Sequence, residues 1–280
     1  MESDAVPPSP VLRVSRVGWR RAPGAHCETG ERAVPEETPI ALTYNGATHS
    51  VMMATPSDLE DFAVGFSLTE GLIAHPSQIR TVEVAPAPGL GVDVRIWLSN
   101  ERAMEIAAGR RRKIVGPVGC GLCGVESLEA ANRPVRRVES ALVVSPGMIL
   151  EAMAVLPEAQ TLNRATRAVH AAGFWRPGHG MVAVREDVGR HNALDKLCGA
   201  LAREGRDGKD GLVLLTSRVS VEMVQKTAAL GAPVIVAVSA PTALAVRMAE
   251  RAGITLAAVA RPDGFETFTR QERIAFSAAP

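Results

Sequence analysis

Apolar positions recur with two different periods along this chain, and the change of period marks out its elements. From Thr38 the period is two: Ile40, Leu42 and Tyr44 alternate, Asn45-Gly46 interrupts, and residues 51–54 are apolar. This predicts a hairpin closed by a tight Asn-Gly turn, since both residues accept the positive φ that such a turn needs. The period then lengthens. Leu59, Phe62, Ala63 and Phe66 share one helical face, with Ser57 placed as cap, Glu60 three residues on and Gly71 as terminator. Residues 82–84 and 92–98 read as further strands around a turn at 86–91, so this half is α+β.

The second half alternates short apolar runs with amphipathic stretches. Residues 181–184 precede a helix from about Arg190, with Leu194, Leu197, Cys198 and Leu201 on one stripe. Runs at 211–215, 234–238 and 254–259 are then separated by helices at 220–230 and 242–252. Strands alternating with helices specify βαβ crossovers, hence an α/β fold with a mostly parallel sheet and helices on its faces. Residues 135–144 read as a strand, and Met148, Ile149, Ala152, Met153 and Leu156 fit a helix face after Pro146-Gly147. Three divisions follow: a mobile arm at 1–35, where no apolar period is sustained; an α+β subdomain at 36–145; and an α/β subdomain at 146–280.

The 31 basic and 30 acidic residues leave a formal charge of +1, so no whole-molecule field draws the 280-residue chain to nucleic acid or to an anionic membrane. Any bound anion must be met by a local cluster. Only Lys113, Lys196, Lys209 and Lys226 are lysines; the other basic residues are arginines, whose planar fork suits phosphate and carboxylate. No window approaches about 18 uninterrupted apolar residues, and the first ten residues carry acids and prolines where a secretory signal is basic then apolar. A soluble cytoplasmic protein is the expectation.

In an open α/β sheet, ligands bind beyond the carboxyl ends of the strands, where the following helices point their N-termini. Here those ends read Arg185-Glu-Asp-Val-Gly-Arg-His191, Thr216-Ser-Arg218, Ser239-Ala-Pro-Thr242 and Arg261-Pro-Asp-Gly264. Guanidinium groups and free amides at one edge would make a site for a phosphate-bearing ligand. The same hydroxyls could instead cap helices, the arginines could make surface pairs, and His191 could pair with Asp195 one turn on.

Cys27, Cys120, Cys123 and Cys198 are too few and too scattered for a disulfide framework. Cys120-Gly-Leu-Cys123, flanked by Gly119 and Gly124 and preceded by the basic run 110–113, is the sharpest chemical feature. A structural zinc needs about four ligands, and no second close pair exists. A thioredoxin-type dithiol normally opens a helix, whereas these glycines favour a pliable loop. Thiolate attack on a sulfane sulfur, with carriage as a persulfide, remains, and nearby cations would favour the thiolate. His26-Cys-Glu28 matches part of a zinc-deaminase pattern, but it lies far from the pair and Gly119 replaces the proline of that pattern.

From Glu37 to Ile274 the chain resembles the FdhD family, the sulfur carriers required for active formate dehydrogenase. The likeness rests on Glu37-Thr-Pro, Asn45-Gly46, residues 53–66, Glu70-Gly71, Cys120-Gly-Leu-Cys-Gly124, His170-Ala-Ala172, residues 185–196 and Ser239-Ala-Pro-Thr242. The resemblance implies a sulfurtransferase that takes sulfur from a cysteine desulfurase and supplies it to the molybdenum bis(molybdopterin guanine dinucleotide) cofactor. It places the persulfide on Cys120 with Cys123 as its partner, and the cofactor or a guanine nucleotide on Val259, Ala260, Arg261, Pro262, Asp263 and Gly264. Arg218, His191 and Thr242 stand beside that segment as further contacts.

The same resemblance implies a homodimer, formate dehydrogenase as client, and a three-layer fold similar to cytidine deaminase without its zinc. The chain departs from the family at Ala168-Val169, Ser217, Glu266 and Phe268, all bearing on the proposed pocket. A zinc-dependent deaminase-like hydrolase and a non-catalytic cofactor-binding chaperone are the competing readings.

Overall fold

The computed structural model describes residues 6–20, 26–99 and 135–276. The first predicted hairpin is present. β3 (Thr38–Tyr44) and β4 (Ala47–Ala54) pair antiparallel, and Asn45 and Gly46 take φ of 47° and 80°. β5 (Ile79–Ala87) and β6 (Gly91–Leu98) complete a four-stranded mixed sheet in the order β4-β3-β6-β5. Helix α1 (Leu59–Thr69) lays Phe62, Ala63 and Phe66 against Ile40, Leu42, Val94 and Ile96.

The expected capping of α1 by Ser57 and Glu60 is not what forms. Asp58 occupies the cap in the left-handed region (φ 52°) without a side-chain cap bond, and Glu60 pairs with Arg203 rather than reaching back. Ion pairs to the other half outbid a local capping box.

The second half is built on a six-stranded sheet in the order β12-β11-β10-β9-β7-β8. β9 (Leu212–Leu215), β10 (Val234–Ala237) and β11 (Thr255–Arg261) are parallel, as the alternating pattern predicts. The mostly parallel sheet is corrected to a mixed one, because β7 (His170–Arg176), β8 (Gly180–Asp187) and β12 (Gly264–Thr269) all pair antiparallel. The reason is connection length. Residues 177–179 join β7 to β8 and 262–263 join β11 to β12, too short for the dozen or so residues that a parallel crossover needs.

Helices lie on both faces. Leu212, Leu214, Val234 and Val236 meet Ile149, Ala152 and Leu156 of α2 (Pro146–Ala159), which is capped by the Ser145 hydroxyl. Val213, Leu215, Ile235 and Ala237 meet α4 (Arg190–Arg203), α5 (Val221–Leu230) and α6 (Ala243–Ala252). The short α3 (Thr161–Thr166) has its first amides bound by Glu186. Among the described residues no helix is long and apolar enough to cross a membrane.

Two further expectations change. Residues 11–35, read as a mobile arm, hold an antiparallel ribbon of β1 (Val11–Arg20) and β2 (His26–Pro35), with charged residues at positions that hid the alternation. Residues 135–144 form no strand. Val138 and Val144 bond instead to Ala252, Arg273 and Ala275, leaving only a single bridge between Val144 and Ile274.

The two halves meet where α1 crosses α4. A Cβ on Gly65 would stand 1.7 Å from the Asp195 carbonyl oxygen, and one on Gly199 1.8 Å from that of Asp61, so the backbones touch with no side chain between them. Beside this crossing Asp187 and Lys196, both fully buried, form an ion pair at 2.6 Å. Thr55 spends its three polar groups on them and on the adjoining turn: its amide donates to Asp187, its carbonyl accepts from Lys196, and its hydroxyl accepts from the Val188 amide. A second buried cluster joins Asp195 and Lys226 of the second half to Thr69 and Glu70. Asp61, also buried, is held by Arg185 and Arg203.

Ala at position 65 or 199 is expected to cost about 1–3 kcal/mol, because backbone atoms cannot move aside as a flexible side chain can. Lys196→Met is expected to cost about 3–5 kcal/mol by leaving Asp187 buried and uncompensated. Urea titration of each variant measures both losses, and parent-like midpoints would refute them.

Candidate functional site at the strand-end edge

Because β9, β10 and β11 run parallel, their carboxyl ends lie side by side. β7 and β8 run antiparallel as a hairpin, and the pairing of His170 with Asp187 places the start of one and the end of the other at this same edge. Short backbone bonds tie the following loops together: Val238 N to Leu215 O at 2.9 Å, Thr242 N to Val219 O at 3.0 Å and Val259 N to Ser239 O at 3.4 Å. The Thr216 hydroxyl accepts from the Ala171 amide at 2.9 Å and adds β7 to the group. α4, α5 and α6 all begin here, so three sets of helix-terminal amides face one region, the arrangement that attracts anions.

The candidate residues of the second half are gathered at this edge. His191 is the second residue of α4, largely buried, with Nε2 3.9 Å from Oε2 of Glu222 in the first turn of α5, an electrostatic contact rather than a hydrogen bond. Its expected pairing with Asp195 does not occur, because Asp195 points toward α1 and is taken by Lys226 and Thr69. Arg218 is exposed between β9 and α5. Thr242 caps α6, its hydroxyl accepting from the Ala245 amide at 3.2 Å. Arg261 is exposed, yet it donates through Nη1 to the carbonyls of Val238 (2.5 Å) and Ala260 (2.8 Å), so it ties β11 to the loop after β10.

Val259 is the strained member of the segment. It takes φ 53°, a left-handed conformation that is a genuine outlier for a β-branched residue, at a register shift between Ala258 and Arg261. Ala260 is buried, Pro262 and Asp263 form the exposed two-residue turn, and Gly264 opens β12. Strain of this kind is retained where surrounding contacts enforce it, commonly at functional sites. Cys120, Cys123 and the basic run 110–113 lie outside the described residues.

Two residues not singled out for this edge, Arg190 and Ser220, stand with His191 and add to its chemistry. Arg190 Nε, His191 Nε2 and Ser220 Oγ are buried polar atoms without a hydrogen-bond partner, all at the starts of α4 and α5. The His191 and Ser220 groups face the Glu222 carboxylate, so among the described residues Arg190 Nε is the one of these donors with no acceptor near it. His170 adjoins them; burial pulls its pKa down, Arg190 and His191 add to this, and Asp187 opposes it. Burial pushes the Glu222 carboxyl up, but the neighbouring His191 and Ser220 outweigh that and hold it at about 2. Among the described residues no group of three or more His, Cys, Asp and Glu side chains is arranged to hold a metal ion.

The fold thus defines a mixed α/β protein whose candidate residues gather at the strand ends. The family model described as FdhD/NarQ matches residues 35–275, and the chain belongs to that family. It is 57% identical over 263 residues to the sulfur carrier protein FdhD of Agrobacterium fabrum, covering 94% of this chain and 95% of that one. It is 47% identical over 277 residues to that of Cupriavidus necator, covering 99% and 94%. A crystal structure from Desulfotalea psychrophila, described as a "putative formate dehydrogenase accessory protein", superposes with a TM-score of 0.73 at 26% identity, covering 94% of this chain and 99% of that chain.

Glu222 yields a pH prediction. A carboxyl held below its ordinary value of 4.5 adds stability above that value and loses it as pH falls toward about 2. Glu222→Gln is therefore expected to be less stable than the parent at neutral pH, with the gap closing below about pH 4.5. Urea titrations across this range test it; a gap that does not change with pH would show that the surroundings do not favour the carboxylate.

Proposed function

We propose that this protein is a sulfur carrier that loads a persulfide on Cys120 and delivers the sulfur to the molybdenum bis(molybdopterin guanine dinucleotide) cofactor for formate dehydrogenase. Family membership and the name shared by relatives at 44–57% identity support the sulfur role. The observation offered for the acceptor is the buried Arg190 Nε, which has no hydrogen-bond partner among the described residues, at an edge where α4, α5 and α6 all begin. A guanine dinucleotide brings phosphate oxygens, and a buried guanidinium donor beside helix N-termini suits them. Arg218 and the segment from Val259 to Gly264 would flank the bound substrate.

The sulfur steps balance without a metal of the protein's own. The Cys120 thiolate attacks the outer sulfur of a desulfurase persulfide, forming Cys120–S–SH and releasing the donor cysteine as thiolate. Cys123 thiolate then attacks Sγ of Cys120, forming the 120–123 disulfide and expelling hydrosulfide for the acceptor. A cellular dithiol resets the pair. Apolar side chains on the β1–β2 ribbon, with Val17 69% and Trp19 64% exposed, support a homodimeric state by offering a surface that a second copy could cover.

Incubated with a cysteine desulfurase and cysteine, the parent is expected to gain the mass of one sulfur, removed by reductant, on the peptide holding Cys120. Cys120→Ala should fold, gain no sulfur and fail to restore formate dehydrogenase activity. Sulfur on another residue, or full activity in that variant, would refute the assignment. Arg218→Ala should weaken binding of guanine nucleotide about tenfold or more, the loss of roughly one charge-assisted contact. It is a cleaner probe than Arg261, which also holds the Val238 carbonyl. Unchanged affinity in Arg218→Ala would remove that residue from the site. Activity that survives replacement of both loop cysteines by Ser would favour a binding chaperone, and metal-dependent ammonia release a deaminase.

A further inference from the structure

β11 starts as a regular strand and loses its regularity at one residue. Leu256 and Ala258 lie in the core shared with α4, α5 and α6, while Ala257 lies in the core on the other face, with Ile149 and Ala152 of α2. Unbroken alternation would put position 259 with Ala257 and position 260 with Ala258. Ala260 lies instead in the α2 core. The alternation has therefore slipped by one residue, at the register shift between Ala258 and Arg261 where Val259 takes its left-handed φ of 53°. A slip of this kind sends the side chains that follow it to the opposite face. Position 261 thus joins Leu256 and Ala258 on the face where α4, α5 and α6 pack, and leaves the α2 face that a regular strand would give it.

Arg261 closes the arrangement that the bulge opens. Its Nη1 donates at 2.5 Å to the carbonyl of Val238, in the loop between β10 and α6, and at 2.8 Å to that of Ala260 beside the bulge. Both protons of that nitrogen are committed to main-chain carbonyls. The Val259 amide reaches Ser239 of the same loop only at 3.4 Å, so the guanidinium supplies the shorter ties. A β-branched residue leaves the left-handed region unless its surroundings hold it there. The two features depend on each other: the bulge aims the arginine, and the arginine keeps the bulge from relaxing to a regular strand.

We propose that Arg261 is a positioning residue, which holds the Val259 bulge and the loop at 238–242 in the arrangement that receives a guanine nucleotide. It acts through main-chain carbonyls and not by direct contact with phosphate. This role rests on the reading of the strand-end edge as a nucleotide site.

Calorimetric titration of the full chain with guanosine diphosphate, together with hydrogen exchange of the ligand-free chain, separates positioning from contact. Arg261→Ala is expected to weaken binding about tenfold and to speed exchange in the peptide spanning 255–261. Arg261→Lys keeps the charge but not the planar fork, and should bind as weakly as the alanine variant. Glycine takes a positive φ without steric cost, so adding Val259→Gly to Arg261→Ala should return the affinity toward that of the parent. A direct phosphate contact predicts the reverse on both counts, with binding kept by lysine and not recovered by glycine. Parent-like affinity in Arg261→Lys, no recovery in the double variant, or unchanged exchange in Arg261→Ala would overturn the proposal. A parent that does not bind the nucleotide would count against the nucleotide site, and the exchange comparison would still decide whether Arg261 holds the bulge.

Discussion

The ion pair of Lys196 with Asp187 is the constraint on which the relation between the two halves depends. Both groups are fully buried, and two charges taken out of water cost several kcal/mol each unless every lone pair and proton is met. Here they are met by one residue of the other half, Thr55, and by the Gly189 amide and the Asn192 side chain. The pairing therefore adds little as a source of net stability. It discriminates strongly, because any displacement of Thr55 leaves a buried charge exposed to an apolar core. The second cluster, Asp195 with Lys226, Thr69 and Glu70, applies the same condition at another point along α4.

Holding α4 in this way also fixes where its first residues stand. Arg190 and His191 open the helix whose later turns carry Asn192, Asp195 and Lys196, so the groups that face the strand-end edge are placed by contacts made deeper in the protein. Preorganisation of that kind lets polar atoms remain unpaired in a folded chain, since they cannot relax toward alternative partners. The strained Val259 belongs to the same economy: the bond of its amide to Ser239 and the grip of Arg261 on the Val238 carbonyl hold the bulge in place.

The parts legible in the sequence were those determined by local rules. Asn45-Gly46 announced its turn, and the stripes of α4, α5 and α6 announced their helices and, through them, the edge where the candidate residues gather. β7 was missed because His170 to Arg176 is buried along most of its length and shows no alternation. The ribbon was missed for the opposite reason, its apolar side chains being mixed with arginines on a surface that the chain does not bury. The buried ion pairs were invisible for a deeper reason. Thr55 and Lys196 are 141 positions apart, and ten of the fourteen residues of α4 are buried, so polar positions that a helical wheel assigns to solvent sit inside. No window of neighbouring residues carries that information. The scarcity of lysine was the one available hint, since two of the four are these inward-facing cations.

The contact of Gly65 with Gly199 carries a mechanical consequence. With main chain against main chain there is no interdigitated layer of side chains to slide, and the salt-bridged flanks resist rotation about the crossing. This packing opposes a clamshell motion about the crossing. The two halves should then turn as one block, and small-angle scattering profiles should coincide with and without added guanine nucleotide.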